Sequence, residues 1–258
     1  MQPWLDIPDL GGVFVVTDND PARAAAERRR HGGRGVGPAP RSPLLTPVEE
    51  AVAAAHRLHG EGLIVLSDSA DATTSGAPGD STWVLRELLR HDWQRPALVT
   101  LVAPEVVEEA ARLGVGASWA GALGGKRDAR FSQPLTLSAE IVRFFDARFT
   151  LSGHLAKNLP IDMGRGAVLR HGSVHIVLTS RSGPHFAPAL FEAAGLAPFS
   201  AGVLVAKSPC GFRAAYQERA RQIMLVRAPG CAPSDFWRYE YRHIPRPLWP
   251  WDEIETRR

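Results

Sequence analysis

Residues 63–85 read LIVLSDSADATTSGAPGDSTWVL, and this stretch decides the fold. Four apolar residues, Leu63 to Leu66, make a short run of the kind that forms a strand buried on both faces. Small and flexible residues carrying three aspartates follow, and then an apolar–polar pattern with helical spacing begins at Ser81. A buried strand, a long polar turn and a helix make up the opening of an α/β unit, in which sites gather at the carboxyl ends of the strands.

The alternation continues downstream. ALVTLV from Ala97 predicts a second strand and Pro104 to Leu113 a second helix. SQPLTLSAEIV predicts extended chain, and GAVLRHGSVHIVLTSR predicts two strands joined at His171–Gly172. A short helix over Ala189 to Ala194, the strand AGVLVAK, the helix FRAAYQERA and a last strand QIMLVR follow. The expected class is α/β, a mixed β-sheet flanked by helices. Upstream, GGVFVVTDND predicts a strand from Val13 to Thr17. TPVEEAVAAAHRLHG predicts a helix with Thr46 as its cap, Pro47 in its first turn and Gly60 at its end. The ending YRHIPRPLWPWDEI is expected to wrap the surface in extended form. A composition break puts a linker near residues 31–45, so 1–60 reads as a small leading segment and 61–258 as the main domain.

Composition narrows the function classes. Hydrophobic residues make up 45% of the 258 and charged residues 22%, the balance of a globular chain, and no run has the ~18 apolar residues of a membrane span. The N-terminal residues do not read as a signal peptide, and two cysteines are too few for a disulfide framework, so the expected compartment is the cytoplasm. The net charge of +3 comes from dispersed arginine. Its one dense cluster, Arg28 to Arg41, has no aromatic residue to stack on bases, which argues against nucleic acid.

Asp68 and Asp71 follow the first strand, and Lys207 and Ser208 follow the strand GVLVA, so all four lie on strand-end loops. Lys207 is placed to converge with the two aspartates. Asp80 reads as the cap of the helix at Ser81. Ser75, Lys126 (after LGG) and Arg213 (first turn of a helix) complete the substrate-binding candidates. An Asp-x-x-Asp pair could hold magnesium in a phosphohydrolase, but the usual spacing there is Asp-x-Asp. Ser208 lacks the setting of an esterase nucleophile. Of nine histidines, His185 in a loop after a strand is the best single site candidate. His171 and His185 are weak metal candidates, and His56 and His59 read as solvated helix residues.

Several segments together resemble the MlrC, or microcystinase C, family. They are DSADATTSGAPGDSTWVLRELL, APEVVEEAARLGVGASWAGALGGKRDARFSQPLTL, MGRGAVLRHGSVHIVLTSR, VAKSPCGFRAAYQERARQIMLVRAPG and YRHIPRPLWPWD. They resemble the C-terminal domain, and WLDIPDLGGVFVVTDND resembles the last strand of the domain before it. The resemblance implies a zinc-dependent hydrolase of peptide or amide bonds, microcystin-type peptides among them. It also implies that the family's zinc ligands lie in the N-terminal domain and map to no position here. The expectation is therefore a C-terminal half that binds no zinc by itself and works with a separate metal-bearing N-terminal half or as a homo-oligomer. A binding or scaffold domain is the alternative, with Trp4, Trp83, Trp249 and Trp251 on an apolar face.

Overall fold

The computed structural model describes residues 6–8, 15–32, 44–151, 156, 158–235, 237, 239–248 and 251–252. Contacts divide the chain into two units, residues 1–43 with 235–258, and residues 44–234. The smaller unit carries the helix α1 (Pro21–Gly32). In it the Asp6 carboxylate accepts hydrogen bonds from the backbone N–H groups of Arg242, His243 and Ile244.

The larger unit is built on one nine-stranded sheet. In chain order its elements are β1 (Thr46–Pro47), α2 (Val48–Leu58), β2 (Ile64–Ser67), α3 (Trp83–Leu88), β3 (Ala97–Val102) and α4 (Pro104–Leu113). Then come β4 (Ser118–Leu123), β5 (Leu135–Thr150), β6 (Pro160–His171), β7 (Val174–Thr179), α5 (Pro188–Ala193), β8 (Val203–Ala206), α6 (Arg213–Tyr216) and β9 (Gln222–Arg227). The spatial order is β1-β9-β2-β8-β3-β7-β6-β5-β4. The first six strands in that order run parallel, and β6, β5 and β4 add an antiparallel flank.

The strand sequences explain the layering. β2, β3 and β8 are buried at every position, because helices cover both faces. Ile64, Leu66, Val99, Leu101, Val203 and Val205 point to the face covered by α2, α3 and α4. Their neighbours Leu63, Val65, Leu98 and Leu204 point to the other face, where Leu190 and Phe191 of α5 and Phe212 and Tyr216 of α6 pack. The period of two thus sorts one continuous apolar run into two cores.

Several local expectations need correction. Thr46 does not cap α2; with Pro47 it forms β1, beside Val226 and Arg227, and the helix starts at Val48 without a side-chain cap. β4 is an additional strand. Its residues SWAGAL alternate buried Trp119 and Leu123 with exposed Ser118, Ala120 and Ala122, and the alanines and glycine hide that pattern in the sequence. Residues 15–17 form no strand, while Val13 and Phe14 of that expected strand lie outside the described residues, as do 33–43 of the expected linker. The described residues of the C-terminal stretch from Tyr241 to Asp252 form turns and irregular chain.

Candidate functional site

The carboxyl ends of the parallel strands bring distant residues together. β2 and β8 are neighbours, so the residues leaving them, Asp68 and Lys207, emerge side by side. Lys207 Nζ donates to Asp71 Oδ2 at 2.7 Å and to Asp68 Oδ2 at 3.2 Å, and all three residues are buried. Asp71 does more than face the ammonium. Its Oδ1 accepts the Gly79 N–H and its Oδ2 the Ser81 N–H, both at 2.8 Å. One carboxylate therefore pulls the whole 71–81 loop into a closed turn. Ser67 Oγ donates to the Ser208 carbonyl, which ties the second loop to the first.

His185 joins the cluster from the loop after β7. Its imidazole is fully buried; Nε2 lies 3.2 Å from Thr179 Oγ1, and Nδ1 has no protein partner. Its carbonyl accepts the Lys207 N–H. Burial, with the Lys207 charge nearby, pushes the imidazole pKa down to about 3, so this histidine is neutral at pH 7. Burial works against the Lys207 ammonium, but Asp71 and Asp68 beside it hold its pKa above the ordinary lysine value. Burial also raises the Asp68 carboxyl pKa, and its Oδ1 is a second buried atom without a protein partner. The cluster resembles a fixed, ion-paired brace more than an open pair of acids.

Above this brace lies a cavity of about 570 Å³. Thr74 and Ser75 line it from the first loop, Ser208 to Gly211 from the Lys207 loop, and Pro184 and Phe186 from the segment on either side of His185. Leu151, Leu159 and Ile161 line it from the far end of the β5–β6 hairpin. Among the described residues the lining includes no charged one.

The remaining candidates fall elsewhere. Asp80 does not cap α3, which begins at Trp83; its Oδ2 accepts the N–H groups of Lys126 and Arg127 at 2.9 and 3.1 Å. Lys126 Nζ turns away to Glu105, 3.2 Å distant. The LGGK motif acquires a reason here. Gly124 and Gly125 are both left-handed at φ +59°, and a Cβ on Gly124 would stand 2.5 Å from the Asp80 carbonyl oxygen. Arg213 is exposed beside the Phe212 ring, and the exposed His171 lies with Nδ1 2.8 Å from the Ser138 carbonyl. His56 and His59 differ from the solvated pair expected. His59 is buried against Trp93, and Nδ1 and Nε2 face the His56 carbonyl and the Gln94 N–H. Trp83 is 37% exposed with its indole N–H on the Phe131 carbonyl, Trp251 packs on Tyr241, and Trp4 and Trp249 lie outside the described residues.

Zinc in hydrolases takes three protein ligands from His, Cys or carboxylate. Among the described residues no group of three or more His, Cys, Asp and Glu could hold a metal. Asp68 and Asp71 already share the Lys207 ammonium, so this donor set does not fit a zinc ion.

Fold and site together define an α/β domain with a braced, apolar cleft at the carboxyl edge of its sheet. The chain belongs to the MlrC C-terminus family, whose model matches residues 66–243. It is 23% identical over 257 residues to Microcystinase C of Sphingomonas sp., a match covering 96% of this chain and 48% of that one. A crystal structure named "Putative metallopeptidase" from Mesorhizobium sp. BNC1 superimposes with a TM-score of 0.71 at 26% identity. That match covers 82% of this chain and 42% of the other. The chain thus spans about half the length of the relatives it matches. The fold class and the family expected from the sequence are both borne out. No helix among the described residues is long and apolar enough to cross a membrane.

Proposed function

We propose that this chain is the substrate-side half of an MlrC-type hydrolase of peptide or amide bonds. In this reading a separate, metal-bearing N-terminal half supplies the zinc. The observation that supports it most directly is the cleft. Loops from both motif-rich strand ends, Thr74–Ser75 and Ser208–Gly211, wall one cavity over the Lys207 brace. That is where an open α/β sheet places a ligand. The opening loop is then a substrate-side wall held shut by Asp71, and the carboxylates in it are structural.

The test is reconstitution. The chain would be purified alone and together with the N-terminal half of an MlrC-type relative, and hydrolysis of linear peptide amides followed by mass spectrometry. Hydrolysis that needs both halves and disappears on chelation supports the reading. Zinc bound at about one per chain by this chain alone, or hydrolysis by either half alone at the rate of the pair, would overturn it.

A further inference from the structure

The cleft states a preference that the family assignment does not. Its described lining residues are almost all apolar or small, and they form three walls of different origin. Leu151, Leu159 and Ile161 come from the β5–β6 hairpin, Phe186 from the His185 loop, and Ala214 and Ala215 from α6. Among the described residues, the only hydroxyl side chains in the lining are those of Thr74, Ser75 and Ser208. Ser208 Oγ accepts the Gly211 N–H at 2.9 Å, which leaves its hydroxyl proton free to donate.

We propose that this cavity is a specificity pocket for a bulky uncharged side chain, aromatic or branched aliphatic, of a peptide or amide ligand, with the ligand's backbone at the hydroxyl-bearing side. The proposal rests on the reading of the chain as the substrate-side half. Volume and charge carry the choice of occupant. The cavity, about 570 Å³, is of the size that takes small-molecule ligands, and it exceeds what one small aliphatic side chain would fill. A lysine, arginine, aspartate or glutamate side chain entering it would leave water and meet no opposite charge among the described lining residues, a loss that an apolar wall cannot offset. The alanines at 187, 189, 214 and 215 supply the room by being small. The hairpin and Phe186 supply the apolar surface that a ring or branched chain would cover.

Cys210 provides the measurement. Its thiol is free and exposed, and the residue lines the cavity, whereas Cys231 is half-buried and outside the lining. Alkylation of the two cysteines by iodoacetamide, read by peptide mass spectrometry, therefore gives a probe and an internal control. N-acetyl-tryptophan amide and N-acetyl-leucine amide should slow Cys210 alkylation several-fold and leave Cys231 unchanged. N-acetyl-lysine amide and N-acetyl-glutamate amide at equal concentration should not. Ala214→Phe, at an exposed position on the pocket wall, should remove the protection while keeping the wild-type urea midpoint. Ile161→Asp on the opposite wall, checked in the same way, should also remove it.

Equal protection by charged and apolar amides, no protection by any, or protection that survives both variants would overturn the proposal. This assay uses the chain alone and needs no hydrolysis. Protection by apolar amides without hydrolysis in the reconstituted pair would leave the pocket standing and sink the functional reading.

Discussion

Replacing Lys207 with methionine tests the brace most directly. The side chain is 1% exposed, and its ammonium lies 2.7 Å from one carboxylate oxygen and 3.2 Å from another. At an effective dielectric constant of about 20, each such attraction is of order 5 kcal/mol, and desolvation of the three groups takes back most of it. The quantity that matters is the state left behind. Methionine fills much the same space but leaves Asp68 and Asp71 facing each other in the interior with no cation. Removing one partner of a buried pair costs about 3–5 kcal/mol, a large part of the ~5–15 kcal/mol that stabilises a domain. With a urea m-value of about 3 kcal/mol/M for a chain of this size, the midpoint should fall by about 1–1.7 M. A second variant separates charge from packing. Lys207→Met with Asp68→Leu removes the carboxyl that has an unpartnered oxygen, while Asp71 keeps the Gly79 and Ser81 N–H groups. That pair should regain at least about 1 kcal/mol over the single variant, since replacing buried charges together with apolar groups is often neutral. A single variant within about 1 kcal/mol of the wild type, or a double variant less stable than the single, would refute the ion-pair account.

Three further outcomes follow from other residues. The His185 pKa is near 3 folded and near 6.5 unfolded, so the unfolded chain binds the extra proton between those values. Stability from this group is complete above pH 6.5 and falls with acidification, by about 1.4 kcal/mol per pH unit well below it; urea midpoints from pH 7.5 to 5 should show a shallower slope in His185→Phe. Gly124→Ala places a Cβ 2.5 Å from the Asp80 carbonyl in a left-handed turn and should lower Tm by several degrees, whereas alanine at Gly172, where no atom lies within 4 Å, should cost only the strain of its positive φ. Asp80→Ala frees the Lys126 and Arg127 N–H groups and should raise amide hydrogen exchange in residues 124–128 while leaving β2 protected.

The parts of this molecule that could be read in the sequence are those set by neighbours along the chain. The parallel strands β2, β3 and β8 announce themselves as short apolar runs, and Pro104 with the pattern after it places α4. The meeting of Lys207 with Asp68 and Asp71 follows from one general rule, that parallel strands deliver their following loops to one edge. β4 escapes because alanine and glycine carry little apolar signal, and its pairing with β5 is what orders it. Asp80 misleads for a related reason. The residue that holds the loop closed is Asp71, eight and ten positions from the N–H groups it binds, and no local pattern records a contact of that span. The hairpin wall of the cleft is still less visible, since Leu151 and Ile161 reach Ser75 and Ser208 only through the folded sheet.

The strand order has a consequence in time. β8 lies between β2 and β3, yet it leaves the ribosome more than a hundred residues after β3 begins, and β9, on the other side of β2, comes later still. Until residue 206 has been made, β2 and β3 lack the strand between them, and the faces on which α5 and α6 pack stay open. Pairings of such long sequence separation form slowly, and exposed apolar edges invite association in the meantime. A nascent chain halted anywhere in the β5–β6 hairpin therefore holds a central gap that closes only when β8 arrives.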